Sequence, residues 1–248
     1  MADYNSYRST QRIGARDMVT DEGLRAYMNK VYGLMSVGLG VTAVAAYGIS
    51  SAAVDASGQA TQLGNAIYGT PLKWVITLAP LLVVFAFGTA LNRLSVQGAT
   101  MLFYGFAALM GLSISSIFLM YTPYSVVQTF LVTAISFAGL SLWGYTTRKD
   151  ISGWGSFLIM GAIGLIVALL VNSFLQSPAM QFAISILGVL VFAGLTAYDT
   201  QRIKNTYLQL AGSDQEFLGK SAIMGALHLY LDFLNLFMFL LSFLGSRE

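Results

Sequence analysis

Two aspartates, one histidine and one asparagine stand where so apolar a chain has little physical reason to keep them. Asp199 ends the run Gly194-Leu-Thr-Ala-Tyr-Asp199, and Asp232 lies within Ala226-Leu-His-Leu-Tyr-Leu-Asp232. His228 precedes Asp232 by four residues and Asn235 follows it by three, a spacing that puts all three on one side of a helix. A charge at the centre of a bilayer costs about 2.5–3.5 kcal/mol on insertion scales, so a carboxylate kept there marks a function. Two carboxylates facing each other away from water cannot both ionise cheaply, and one proton is shared between them. Such a pair can sense protons, carry them, or offer oxygen ligands to a hard cation such as calcium. The chain has no other histidine and no cysteine, which excludes disulfides, thiolate metal sites and a cysteine nucleophile.

The elements that position these residues are helices in lipid. Of 248 residues, 56% are hydrophobic and only 10% charged, and the mean hydropathy is +0.69. A soluble domain carries about a quarter charged residues to cover its wet surface. A bilayer core about 30 Å thick takes roughly 20 helical residues to cross. Seven segments meet that length: Val31 to Val54, Leu72 to Leu91, Ala99 to Met120, Val126 to Tyr145, Trp154 to Leu175, Met180 to Tyr198 and Ala222 to Leu244. The seventh is interrupted by His228, Asp232 and Asn235, so it either spans or re-enters. The fold class expected is an all-α membrane protein of seven transmembrane helices, in residues 25–248. A polar N-terminal tail occupies residues 1–24, where no apolar core and cleavage site of a signal peptide is present.

Eleven of the 13 basic residues fall at the N-terminus or in loops on its side, and only Lys73 and Arg247 fall opposite. The positive-inside rule then places the N-terminus in the cytoplasm. A net charge of +2 without any Lys/Arg-rich run gives no basis for a nucleic-acid partner. By helical rise, Asp199 lies about 7 Å from Lys204 along the sixth span, and Asp232 about 18 Å from Lys220 along the seventh. The consecutive, antiparallel helices allow the carboxylates to meet if one is tilted or displaced. Arg93, at the inner end of the second span, is on the same side as Asp199 and is the candidate for a latch on it.

The stretches Gly194-Leu-Thr-Ala-Tyr-Asp-Thr-Gln-Arg-Ile-Lys204 and Ala226-Leu-His-Leu-Tyr-Leu-Asp-Phe-Leu-Asn-Leu-Phe237 resemble the transmembrane Bax inhibitor family. Gly111-Leu-Ser-Ile-Ser-Ser-Ile-Phe118 is similar to it as well, and the resemblance covers about Arg25 to Gly245. It implies one central helix surrounded by six others, and a pH-sensitive calcium leak. It carries the family's aspartate pair onto Asp199 and Asp232, as proton sensor and calcium ligands, and its latching arginine onto Arg93. Endoplasmic-reticulum relatives tend to end in a basic tail, whereas this chain ends Gly245-Ser-Arg-Glu248. A bacterial plasma (inner) membrane is therefore the expected location.

Competing chemistries lack their residues. An intramembrane aspartyl protease needs Gly-x-Gly-Asp where this chain has Leu229-Tyr230-Leu231-Asp232. A retinal protein needs a lysine in the seventh span, and a serine hydrolase a Gly-x-Ser-x-Gly elbow. No enzyme and no cofactor is expected, with calcium as the transported ion and lipids, calcium and protons as partners. His228 and Asn235 support the pair as neighbouring polar groups. The alternative is a membrane-embedded regulator that binds other membrane proteins, such as a membrane protease.

Overall fold

Helix starts fall where a side chain can accept the orphan backbone donors of a first turn, or where proline has none to satisfy. Ser95, Thr122 and Ser177 accept from the backbone N–H groups of Gly98, Ser125 and Met180, and Pro123 and Pro178 open the helices that follow the last two. Gln176 closes a helix in the left-handed region, with φ of 50°. These signals set the boundaries in a computed structural model that describes residues 2–55, 57–212 and 214–246, with side chains from residue 21 onward.

The elements are α1 (Ala2–Ala53), α2 (Gln62–Tyr68), α3 (Leu72–Arg93), α4 (Val96–Ile114), α5 (Ile117–Met120), α6 (Pro123–Thr146), α7 (Gly155–Leu175), α8 (Pro178–Leu210) and α9 (Gln215–Leu244). A 3₁₀ turn, Ser152–Trp154, precedes α7, and no strand occurs among the described residues. Seven of these helices, counting α4 and α5 together, are long and apolar enough to cross a membrane. All seven expected spans are present. The loop expected from Asp55 to Pro71 contains the short α2, and α1 extends far beyond its apolar stretch. The side chains of the polar tail, as far as Thr20, lie outside the described residues.

The largest departure concerns the sixth helix. The apolar stretch ends at Tyr198, yet α8 runs on to Leu210 because nothing between Asp199 and Leu210 is a glycine or a proline. Its polar last turns stand against α9 and form a long antiparallel hairpin with it.

The seventh span is the most buried one. In its apolar stretch 56% of residues are buried, against at most 33% in any other span. It packs directly on α8, α1, α6 and α4, while α3 is seated mainly on α4, and α7 on α8. It also crosses the full bundle. Near its start, Ser221 bonds Tyr27 of α1; near its end, Ser242 bonds Gln181 and Ser185 at the beginning of α8. Just past α9, the Ser246 N–H donates to Ser125 Oγ at 2.9 Å, and Thr122 N–H donates to the Ser246 carbonyl at 3.2 Å. Its two ends are thus at opposite ends of the bundle, and re-entry is ruled out.

Glycines make the α8–α9 approach possible. A Cβ at Gly188 would collide with the Phe239 ring, and one at Gly225 would press on Ile203 at 3.2 Å. Small residues of this kind let membrane helices come close enough for dispersion and polar contacts to hold them together. Gly188→Ala is expected to cost about 1–3 kcal/mol by overpacking. Gly164→Ala, whose added methyl meets nothing within 4 Å, should change stability by less than about 0.5 kcal/mol. Thermal unfolding of the two variants in detergent separates these outcomes.

Candidate functional site

The α8–α9 seam is built in layers. Gly225, Asp232 and Phe239 recur every seventh residue along α9, so they present one face to α8. Opposite them stand Ile203, Asp199 and Gly188. At either end of this seam a large side chain fills the space above a glycine. Between those two layers, the carboxyl groups of Asp199 and Asp232 meet within hydrogen-bonding reach.

The seam resolves the mismatch in depth. In the antiparallel hairpin Ile203 faces Gly225, so Lys204 lies about level with that glycine. Lys220 is therefore more than a helical turn nearer the hairpin tip than Lys204. The two lysines are not equal depth marks, and no unusual tilt is needed for the aspartates to touch.

Both aspartates are buried, at 7% exposure for Asp199 and 4% for Asp232. Oδ2 of Asp232 has no hydrogen-bond partner among the described residues. On the other side of the pair, Arg202 Nη1 lies 3.6 Å from Asp199 Oδ1, one turn along α8. Sharing one proton would leave the pair a single negative charge, and Arg202 stands beside it. His228 lies in the electrostatic neighbourhood of both Asp199 and Arg202.

Aromatic contacts cover two further sides of α9. Tyr230 meets Phe103 and Phe106 of α4 edge-on, with ring centroids 5.6 and 5.9 Å apart. Its hydroxyl and Thr42 Oγ1 of α1 are 2.6 Å apart, and that oxygen lies 2.8 Å from the Ala107 carbonyl. Phe233 meets Phe130 and Phe137 of α6, each at 5.4 Å. The less buried flank of α9 carries His228 and Asn235, and Asn235 donates back to the Leu231 carbonyl at 2.8 Å.

Of the residues singled out in the sequence, the structure brings together Asp199, Asp232 and His228, with Asn235 one turn away on the same helix. It does not bring Arg93 to them. Arg93 is exposed in the last turn of α3, a helix that packs on α2 and α4 and not on α8, and it forms no ion pair among the described residues. A cation there complements the negative end of the helix dipole. Arg202 is the residue the sequence reading passed over. Its signal was the i, i+3 spacing from Asp199 on a helix that continues past the apolar stretch. For calcium, the pair supplies two carboxylates where six to eight oxygens are usual. No group of three or more His, Cys, Asp or Glu side chains among the described residues is arranged to hold a metal ion.

A seven-helix membrane bundle with a buried aspartate pair in its last two helices is the class that this geometry defines. The family model described as "Inhibitor of apoptosis-promoting Bax1" matches residues 24–248, and the chain belongs to that Bax inhibitor-like family. An "Uncharacterized protein" of Caulobacter vibrioides is 46% identical over 250 residues, covering 100% of both chains. "Inner membrane protein YbhL" of Escherichia coli K12 is also 46% identical, over 227 residues that cover 91% of this chain and 94% of that protein. "Uncharacterized protein RP147" of Rickettsia prowazekii is 42% identical over 242 residues, 98% of each chain.

Substitutions at the two aspartates should not be equivalent. The amide of Asp232→Asn can donate to Asp199 where the shared proton stands, so this variant should keep a wild-type thermal midpoint in detergent. Asp199→Leu leaves Asp232 buried with no polar partner and should cost about 1–3 kcal/mol. Equal losses in the two variants would contradict the shared-proton geometry.

Proposed function

We propose that the chain is a pH-responsive cation leak, for calcium, in a bacterial inner membrane, with its N-terminus in the cytoplasm. The observation that carries the reading is the pair of buried carboxyl groups in contact across the α8–α9 seam, charge-balanced on one side by Arg202. Family membership and the inner-membrane relative support the setting. The basic residues clustered on the N-terminal side support the orientation.

In this mechanism Asp199 and Asp232 are the gate. With one shared proton and the Arg202 pair in place, the seam is closed at the level of the aspartates. Protonating Asp199 as well releases Arg202, removes the charge that holds the seam together, and loosens it. With both carboxyl groups protonated the open seam offers no carboxylate to strip and retain a calcium ion, so the ion keeps much of its water and passes on. The latch expected at Arg93 falls in this reading to Arg202.

Purified protein in liposomes loaded with a calcium dye tests the proposal. Wild-type flux should rise as the pH is lowered. Asp199→Asn, whose amide stays neutral at every pH, should leak at a rate independent of pH, and Arg202→Gln should flatten the pH response. A wild-type flux no greater than that of empty liposomes would end the reading.

A further inference from the structure

Away from the aspartates, the bundle is open on one side. α1 and α6 are tied where Tyr32 bonds Ser141, and a cleft of about 780 Å³ lies between them with Phe233 of α9 as part of its floor. Its walls are mostly apolar, from Met35 and Leu39 on α1 to Phe130 and Ala138 on α6, with Tyr32, Ser36 and Ser141 among them. Toward the start of α6 it meets a second apolar hollow of about 230 Å³, which shares Leu39, Ala43, Phe130 and Phe233 with it. From Arg25 to Ala43 the cleft follows α1 for 18 residues, about 27 Å at the helical rise. That is close to the full hydrocarbon thickness of about 30 Å, so a chain from one leaflet can lie within it.

The ends of the cleft differ chemically. One is closed in by hydrocarbon side chains. The other opens between Arg25 and Asn29 of α1 and Tyr145 of α6. Arg25 is exposed and forms no ion pair among the described residues. Lys204 stands behind Tyr145, its ammonium 2.8 Å from that residue's carbonyl and 5.3 Å from the centre of its ring. Next to it, Lys204 lines a further hollow with Arg148, Lys149 and Asp150. An apolar slot with a basic, donor-rich mouth is complementary to one kind of molecule abundant in a membrane. Its phosphate takes the guanidinium and amide donors, and its acyl chain takes the slot.

We propose that the α1–α6 cleft is a binding site for an anionic phospholipid of the leaflet on the N-terminal side. Its headgroup phosphate sits at Arg25 and Asn29, and one acyl chain runs along Leu39 toward Phe130 and Phe233. The lipid completes the wall that α1 and α6 leave open, and its chain lies against the residue that follows Asp232.

Native mass spectrometry of delipidated protein tests this, with phosphatidylglycerol and phosphatidylcholine of identical chains as probes. Wild type should retain a single phosphatidylglycerol about tenfold better than phosphatidylcholine, the equivalent of about 1.4 kcal/mol from a charge-assisted contact. Arg25→Ala should remove that preference without lowering phosphatidylcholine retention. Gly40→Phe should displace both lipids, because Gly40 lines the cleft and a Cβ there meets no atom within 4 Å. A wild-type thermal midpoint confirms that each variant is folded. Equal retention of the two lipids by wild type would overturn the headgroup assignment, and unchanged retention by Gly40→Phe would overturn the cleft. A second copy of the chain bound in place of lipid, and lost in Gly40→Phe, would overturn the choice of occupant.

Discussion

A polar group inside a bilayer must find its partner inside the protein, because lipid offers none. At the α8–α9 seam that requirement takes its most demanding form, since the groups are two carboxyls and each must be satisfied by the other. The carboxyls can touch only if the helix backbones approach closely, and the glycines at 188 and 225 allow that approach. α9 is also the most buried of the spans. Aromatic contacts around Tyr230 and Phe233 cover two of its other sides.

The same requirement is met on a smaller scale by hydroxyl groups that join the remaining helices. Tyr32 of α1 bonds Ser141 of α6, which bonds Thr200 of α8 at 2.9 Å, one residue from Asp199. Thr42 joins α1 to both α4 and α9. Gln201 accepts from the Ile151 N–H at 3.0 Å and donates to the Lys149 carbonyl at 2.8 Å, which fixes the loop before α7 to the side of α8. At the other end, Gln181 links Asn172 of α7 to Ser242 of α9. Each such bond contributes modestly in membranes, about 0.6 kcal/mol on average, but each also fixes a rotation of one helix against another. The aspartate pair depends on those rotations, because a turn of α8 by one residue would carry Asp199 away from Asp232.

The spans and the aspartates were legible in the sequence because hydropathy and misplaced charge are local properties. The helix that continues past Tyr198 was not, because its last turns are polar and their helicity comes from packing on α9. That extension hid Arg202 as a partner for Asp199 and favoured Arg93, which had only the shared side of the membrane and the family resemblance to recommend it. Tyr32, Thr42 and Ser141, in the first and fourth spans, take part in the polar links without any mark in the sequence. A lone Ser or Thr in an apolar run gives no sign of which helix it will face. Spacing within one helix is written in the chain; contact between helices is decided by which faces close first.

The most enclosed helix is also the last of the seven in chain order. During synthesis α1 to α8 leave the ribosome before the helix that packs against four of them. Thr42, Asp199 and the face of Gly188 meet their partners on α9 only once it has followed. Assembly of the interior therefore waits for α9, which inserts already carrying its own carboxyl group. The finished bundle is sealed by the short tie between Ser246 and the start of α6.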